Sequence, residues 1–230
     1  MRAVSARLFT WSGALLFVVS LAYFAFSYSW TFGAPRLDGS TTGAVPWNVT
    51  LFTAFALHHS LFARVRVREW MTRIVPPDLE RSVYVWIASV LFIVVCAAWR
   101  PVPGVAWQAD GAALWTLRTL QAAGVWLSVH CAAIIDIRQL AGLRPQAPGL
   151  SKFETRGPYG WVRHPIYAGW MLFVFAASPM TMTRLAFAVV SSAYLLIAIP
   201  FEERTIRAAS GGAYGRYAAK VPWRLIPRVY

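Results

Sequence analysis

Acidic residues are scarce: nine Asp and Glu stand against 22 Lys and Arg in 230 positions, and only 13% of the chain is charged. Soluble domains carry about 25% charged residues. That shortfall, with a hydrophobic content of 58%, excludes an ordinary soluble class and points to a polytopic membrane protein. Cysteine is nearly absent. Cys96 and Cys131 each lie in an apolar run and form no Cys-x-x-Cys pair. This argues against a disulfide framework and a zinc site and leaves two small buried hydrophobes. No metal site is expected. A Gly-x-Gly-x-x-Gly motif is missing, which removes a Rossmann-type nucleotide site. Internal repeats and low-complexity segments are absent as well, so residues 1–230 read as a single domain.

What the chain does have is apolar length. Residues 8–30 run for 23 positions without a charge, enough to span ~30 Å of hydrocarbon. Arg2 and Arg7 precede this run as in a signal peptide, but it is too long for an h-region and no small-x-small cleavage site follows. A retained first span is therefore expected. Further runs cover 47–63, 83–99, 112–135, 166–177 and 185–201. The fold class is then all-α, with about six transmembrane helices. The last two form a short hairpin, because the twelve residues of 166–177 reach only about 18 Å.

Charge tests this layout. With the N-terminus inside, eighteen of the 22 basic residues fall on inner segments and only Arg36, Arg100, Arg118 and Arg184 on outer ones. Such asymmetry is the positive-inside pattern and places both termini in the cytoplasm. It also accounts for the net charge of +13 without nucleic acid as a partner; the partner is the lipid bilayer.

The most unusual stretch is Thr155 to Trp170, with two Arg, a His, three Gly, two Pro, two Tyr and two Trp in sixteen residues. Pro165 suits a first helical position because its missing N–H would be orphaned there anyway. His164 is then near the N-cap, and the following free N–H groups favour a carboxylate or phosphate. Other ionisable groups gather at the same ends of the runs: His58, His59, Asp136 and Glu202-Glu203. Such groups at membrane depth default to functional candidates. Glu203 and Arg207 have the i,i+4 spacing of a surface ion pair. Glu202 faces Ile206 at that spacing and stays available for a ligand ammonium.

Three blocks carry a family resemblance. They are Gly157-x-Tyr159-x-x-x-Arg163-His164-Pro165-x-Tyr167-x-Gly169, then Glu202-Glu203, then Gly211-x-x-Tyr214-x-x-Tyr217-x-x-Lys220-Val221-Pro222. Together they resemble the isoprenylcysteine carboxyl methyltransferase and phospholipid methyltransferase superfamily of integral-membrane enzymes that use S-adenosyl-L-methionine (SAM). Earlier blocks resemble a bacterial branch that includes the methanethiol S-methyltransferases: His59-Ser60-x-x-Ala63-Arg64, Trp70-x-Thr72-Arg73-x-Val75-Pro76, Glu80-Arg81-Ser82-x-Tyr84-Val85 and Trp99-Arg100-Pro101-x-Pro103-Gly104.

The resemblance implies a SAM-binding part at about 144–222, in an inner-membrane protein whose active site faces the cytoplasm. Cofactor contacts carry over to Tyr159, His164, Pro165, Ile166, Tyr167 and Glu202, with Phe153 and Glu154 on the approaching loop. The isoprenylcysteine branch has an arginine four residues before Glu202 that faces a substrate carboxylate. Here that position is Ala198, which removes a charge-assisted partner for a carboxylate. The expected reaction is methyl transfer to a thiol or another small membrane-partitioning nucleophile. Arg163 is a candidate to favour the thiolate, and His59 or His164 to take its proton. Two alternatives stay open: a haem or metal membrane protein using His58, His59 and His130, and a non-catalytic scaffold of the same fold.

Overall fold

A computed structural model describes residues 2–36, 42–62, 64–144 and 155–230. In chain order its helices are α1 (Arg2–Phe26), which continues into a π-helical turn (Ser27–Thr31), α2 (Ala44–Phe62), α3 (Val65–Met71) and α4 (Glu80–Ala98). There follow α5 (Gly111–Ile135), α6 (Ile137–Leu140), α7 (Pro165–Phe175), α8 (Met182–Ala209) and α9 (Ala213–Lys220). A 3-10 turn covers Gly157–Gly160, and two short strands are β1 (Val105–Trp107) and β2 (Met180–Thr181). The protein is thus mostly helical, and every apolar run of the sequence has become a helix.

Among the described residues, three helical segments are long and apolar enough to cross a membrane: Val4–Thr31, Glu80–Ala98 and Met182–Ala209. The helices α2 and α5 have 19 and 25 residues, but Asn48, His58 and His59 dilute the first, and Arg118, Gln121 and His130 the second. The expected short hairpin needs correction. Helix α7 is indeed short at 11 residues, whereas α8 runs for 28 and passes through Pro200. A proline costs one backbone hydrogen bond and a local clash. Here the helix continues for nine more residues, because Glu203 in that extension is held by several partners.

The described residues form two compact units. The first lies within Met1–Gly104, Ile137–Gln146 and Thr181–Thr183 and contains α1 to α4 and α6. Helix α4 packs on both α1 and α2. Its core is aromatic: Phe24, Tyr28, Phe32, Phe52, Phe92 and Trp99 are all buried. Asn48 is buried among them and exchanges two 2.8 Å hydrogen bonds with the backbone of Arg100, so its amide is not left unsatisfied. Gly142 has φ +77°, and a Cβ there would stand 3.0 Å from Val85 Cγ2. Only glycine lets that turn lie on α4, where the Ser82 hydroxyl donates to the Gly142 carbonyl at 2.8 Å.

The second unit lies within Val105–Asp136, Ala147–Met180 and Arg184–Tyr230. It holds β1, α5, α7, most of α8, and α9. Helix α7 packs along α5. At their crossing, a Cβ on Gly169 would sit 2.7 Å from the Gly124 carbonyl oxygen and 2.5 Å from Ser128 Oγ. Small residues of this kind let membrane helices approach closely. The Ser128 hydroxyl donates to the Ile166 carbonyl at 3.3 Å and the Gln121 amide to that of Phe173 at 3.3 Å. Arg118 donates to the Ser178 carbonyl at 3.0 Å and to Gln121 at 3.2 Å; its task is to tie down the chain beyond α7.

Candidate cofactor site

The start of α7 is built as the local rules demand. His164 is the N-cap and Pro165 the first helical residue. The N–H groups of Tyr167 and Ala168 both return to the His164 carbonyl at 3.1 Å. Pro165 has no N–H to offer, and that of Ile166 has no hydrogen-bond acceptor among the described residues. Just before the cap, the N–H groups of Arg163 and His164 donate to the carbonyls of Trp223 and Arg224 at 2.9 Å each. The C-terminal segment therefore fixes where α7 begins.

Two adjacent glutamates on α8 have opposite surroundings. Glu203 is 5% exposed. Its Oε1 accepts from Arg163 Nε at 2.8 Å and lies 3.2 Å from His164 Nε2, while its Oε2 accepts from Arg224 Nε at 3.3 Å. The i,i+4 pair with Arg207 expected from the sequence does not form; Arg207 lies instead 5.7 Å over the Tyr214 ring. Glu203 turns inward because three nitrogen donors converge there, and a buried carboxylate needs partners of that kind. Glu202 has a side chain 41% exposed. Its Oε2 accepts from the Tyr167 hydroxyl at 3.0 Å and stands 3.9 Å from His164 Nδ1. Its Oε1 receives no hydrogen bond from the described residues. The His164 and Tyr167 rings stack at 5.4 Å with planes 10° apart, so one aromatic pair links both carboxylates.

Arg163 is largely spent within this cluster. Besides Glu203, its Nη1 donates to the carbonyls of Val221 and Pro222 at 2.9 and 2.7 Å. Tyr159 is also buried: its hydroxyl donates to the Cys131 carbonyl at 3.3 Å, and its own carbonyl accepts from Tyr217 at 2.9 Å. On α9, Tyr214 and Tyr217 are buried with Val221. Burial, then the Glu203 charge, pushes the Tyr214 hydroxyl well above the ordinary tyrosine range. Burial pushes Tyr217 up to about 12, with Arg163 opposing and Glu203 adding. Arg224 is raised too: burial would lower it, but the Glu203 carboxylate and Tyr230 outweigh that.

Residues 148–208, which include both α7 and the Glu202-Glu203 pair, match the isoprenylcysteine carboxyl methyltransferase (ICMT) family. Over a longer stretch the chain is 33% identical across 231 residues to methanethiol S-methyltransferase 2 of Bradyrhizobium diazoefficiens, covering 93% of this chain and 89% of that one. It is 37% identical across 195 residues to the methanethiol S-methyltransferase of Mycobacterium tuberculosis, covering 78% and 79%. The chain belongs to the family of the methanethiol S-methyltransferases. A Nurim homolog from Drosophila melanogaster is more distant, 22% identical across 178 residues, 71% of this chain and 70% of that one. These relatives support a membrane methyltransferase.

Within this methanethiol S-methyltransferase relative, the structure brings Tyr159, His164, Pro165, Tyr167, Glu202 and Arg163 into one cluster. Ile166 lends its carbonyl to Ser128. Phe153 and Glu154 lie outside the described residues. His59 belongs to the first unit, where its Nδ1 is 2.8 Å from the Tyr84 hydroxyl and Arg81 covers the Tyr84 ring at 4.7 Å. The histidines of the haem alternative are engaged in ring contacts: His58 stacks on Phe62 at 4.5 Å and His130 on Trp126 at 4.9 Å. Among the described residues, no group of three or more His, Cys, Asp or Glu could hold a metal ion. From the sequence Arg224 counts only among the inward basic residues and not as a site residue. Its only signal was its place two residues beyond the Lys220-Val221-Pro222 block.

Proposed function

We propose that this protein is an integral-membrane, SAM-dependent methyltransferase acting on a small thiol or a similarly soft, membrane-partitioning nucleophile. The observation that carries the reading is Glu202, a half-exposed carboxylate oriented by Tyr167 beside a fully committed Glu203. The residues present fit the methionine part of SAM. Glu202 Oε1 is open to an ammonium group, and the Ile166 N–H at the start of α7 is open to a carboxylate, as helix N-termini favour anions. The stacked His164 and Tyr167 rings offer an aromatic face to a sulfonium, a contact of ~0.5–2 kcal/mol. When bound, SAM supplies an activated methyl group.

The protein's own share is then alignment and exclusion of water. Glu203, Arg163 and Arg224 hold the first turn of α7 in register with α8, so that Tyr167 and Glu202 keep a fixed separation. A thiol acceptor accords with Ala198, one helical turn before Glu202, where the isoprenylcysteine enzymes have an arginine for a carboxylate. The methanethiol S-methyltransferases named above are the relatives that favour a small thiol. Residues 144–222 hold the cofactor, and their polar end lies on the cytoplasmic side of the inner membrane.

Calorimetry of SAM binding to the detergent-purified protein tests the reading. Wild type should bind, Glu202→Ala should lose at least about tenfold, and Tyr167→Phe should weaken binding by less. Equal affinity for wild type and Glu202→Ala would remove Glu202 from the site. Methyl-labelled SAM incubated with membranes and methanethiol then checks the acceptor, through label in a volatile thioether.

A further inference from the structure

A second cluster of charge lies in the first unit. A cavity of about 560 Å³ is lined there by Arg7, Thr10 and Trp11 of α1, by Asp78 just before α4, and by Arg138 and Arg144 around α6. That volume is within the range of ligand sites, about 300–1,000 Å³. Three guanidinium groups against one carboxylate give the lining a formal charge of +2. The first turn of α4 begins at Glu80, beside Asp78 and Leu79, and adds the partial positive charge of a helix N-terminus.

The position of this cavity along α1 narrows its occupant. Val4, Leu8, Trp11, Leu15 and Val18 are between 58% and 67% exposed. Their alternating spacing of four and three places them on one face of the helix, within the segment Val4–Thr31 that is apolar enough to cross a membrane. Trp11 belongs to both features: it walls the cavity and continues the apolar stripe. A soluble anion would use only the cavity. A molecule with an anionic head and a hydrocarbon tail uses both, and tryptophan is the residue that favours the boundary between them.

We infer that this cavity is a binding site for an anionic phospholipid. Its phosphodiester is held by Arg7, Arg138 and Arg144, and an acyl chain lies along Trp11, Leu15 and Val18. Arginine suits the task because its planar fork grips phosphate oxygens in pairs. Asp78 can accept from a hydroxyl-bearing head, and its charge opposes a second negative group there. The bound lipid would fasten the start of α1 to the polypeptide around α6.

The test follows thermal unfolding of the full chain in neutral detergent while one of three compounds is added. These are short-chain phosphatidylglycerol, phosphatidylcholine with the same chains, and inorganic phosphate. Phosphatidylglycerol should raise the unfolding temperature saturably. Its apparent affinity should fall roughly five-fold in each of Arg7→Gln, Arg138→Gln and Arg144→Gln, the loss of about one basic contact at a membrane surface. Arg228→Gln, in the tail, should titrate as wild type. An equal saturable response to phosphate would assign the cavity to a free anion and overturn the lipid. An equal response to phosphatidylcholine would overturn the need for negative charge, and wild-type titrations in the glutamine variants would remove the arginines. If a glutamine variant fails to fold, the same positions changed to lysine keep the charge, and Trp11→Ser removes the ledge for the chain. Weaker phosphatidylglycerol binding in both supports the site; unchanged binding in both overturns it.

Discussion

Glu203 and Glu202 should respond to the same substitution in different currencies. Glu203→Gln leaves Arg163 and Arg224 facing a neutral amide in a buried place. Breaking a buried charge network of this kind costs about 3–5 kcal/mol, so a large fall in unfolding temperature is expected, with cofactor affinity changed only through the loosened start of α7. Glu202→Gln touches a side chain that is 41% exposed and should stay within about 1 kcal/mol of wild type in stability, while SAM binding collapses. Thermal unfolding and calorimetry on both variants check this, and the reverse pattern would exchange the two roles. Tyr217 adds a pH signature. Its hydroxyl is held up at about 12 by burial first, then by Glu203 against the opposing Arg163, whereas an unfolded tyrosine titrates near ~10. The fold thus favours the neutral phenol. That stability is fully present below about pH 10 and is lost as pH rises from there through about 12. Tyr217→Phe should flatten alkaline unfolding over that window, with a residual slope from Tyr214. An unchanged slope would contradict the assignment.

Helix α7 comes nearest to α5 at Gly169. In an isolated helix Gly169→Ala would gain about 1 kcal/mol of propensity. Here the new methyl would meet Ser128 Oγ at 2.5 Å and the Gly124 carbonyl at 2.7 Å, and the backbone oxygen cannot rotate away. Overpacking of this kind costs about 1–3 kcal/mol, so the variant should be less stable, and SAM affinity should fall because α7 carries Tyr167. Pairing it with Ser128→Ala should recover part of the loss, which a thermal-unfolding cycle of the four proteins would reveal. The same elements show what the sequence made legible. Long apolar runs and the Pro165 helix start follow from local rules, and they appear where expected. Glu203 was misjudged because i,i+4 reasoning sees only its own helix, whereas its partners Arg163, His164 and Arg224 lie 40, 39 and 21 positions away. The length of α8 beyond Pro200 was hidden for the same reason. Helix α3 was invisible because seven residues with three charges give no apolar stripe, whereas the three-residue spacing of Tyr214 and Tyr217 already put them on one face of α9.

At the scale of the whole molecule the open quantity is the parity of crossings, and α7 decides it. Eleven residues reach about 16 Å of a hydrocarbon core of ~30 Å. The six residues between α7 and α8 can add at most about 20 Å when extended, so helix plus connector is long enough. Irregular backbone is tolerated at that depth only where protein shields it. The connector meets that condition. Ala177, Ser178 and Met180 are 0–1% exposed, Arg118 caps the Ser178 carbonyl at 3.0 Å, and Ala109 N–H donates to the Ser178 hydroxyl at 3.0 Å. Arg184 adds a 2.6 Å bond to the Pro179 carbonyl. A broken fifth crossing is therefore physically possible, and α2 and α5 as two more crossings would bring the count to the six expected from the sequence. Five crossings would put the C-terminal tail, with six of the eighteen inward basic residues, on the outer face against the positive-inside rule. Cysteines introduced at Arg228 and at Ala109 distinguish the two cases. An impermeant maleimide applied to intact spheroplasts should label the Ala109→Cys variant and spare Arg228→Cys until the membrane is opened. Labelling of Arg228→Cys in intact cells would show that α7 turns back without crossing.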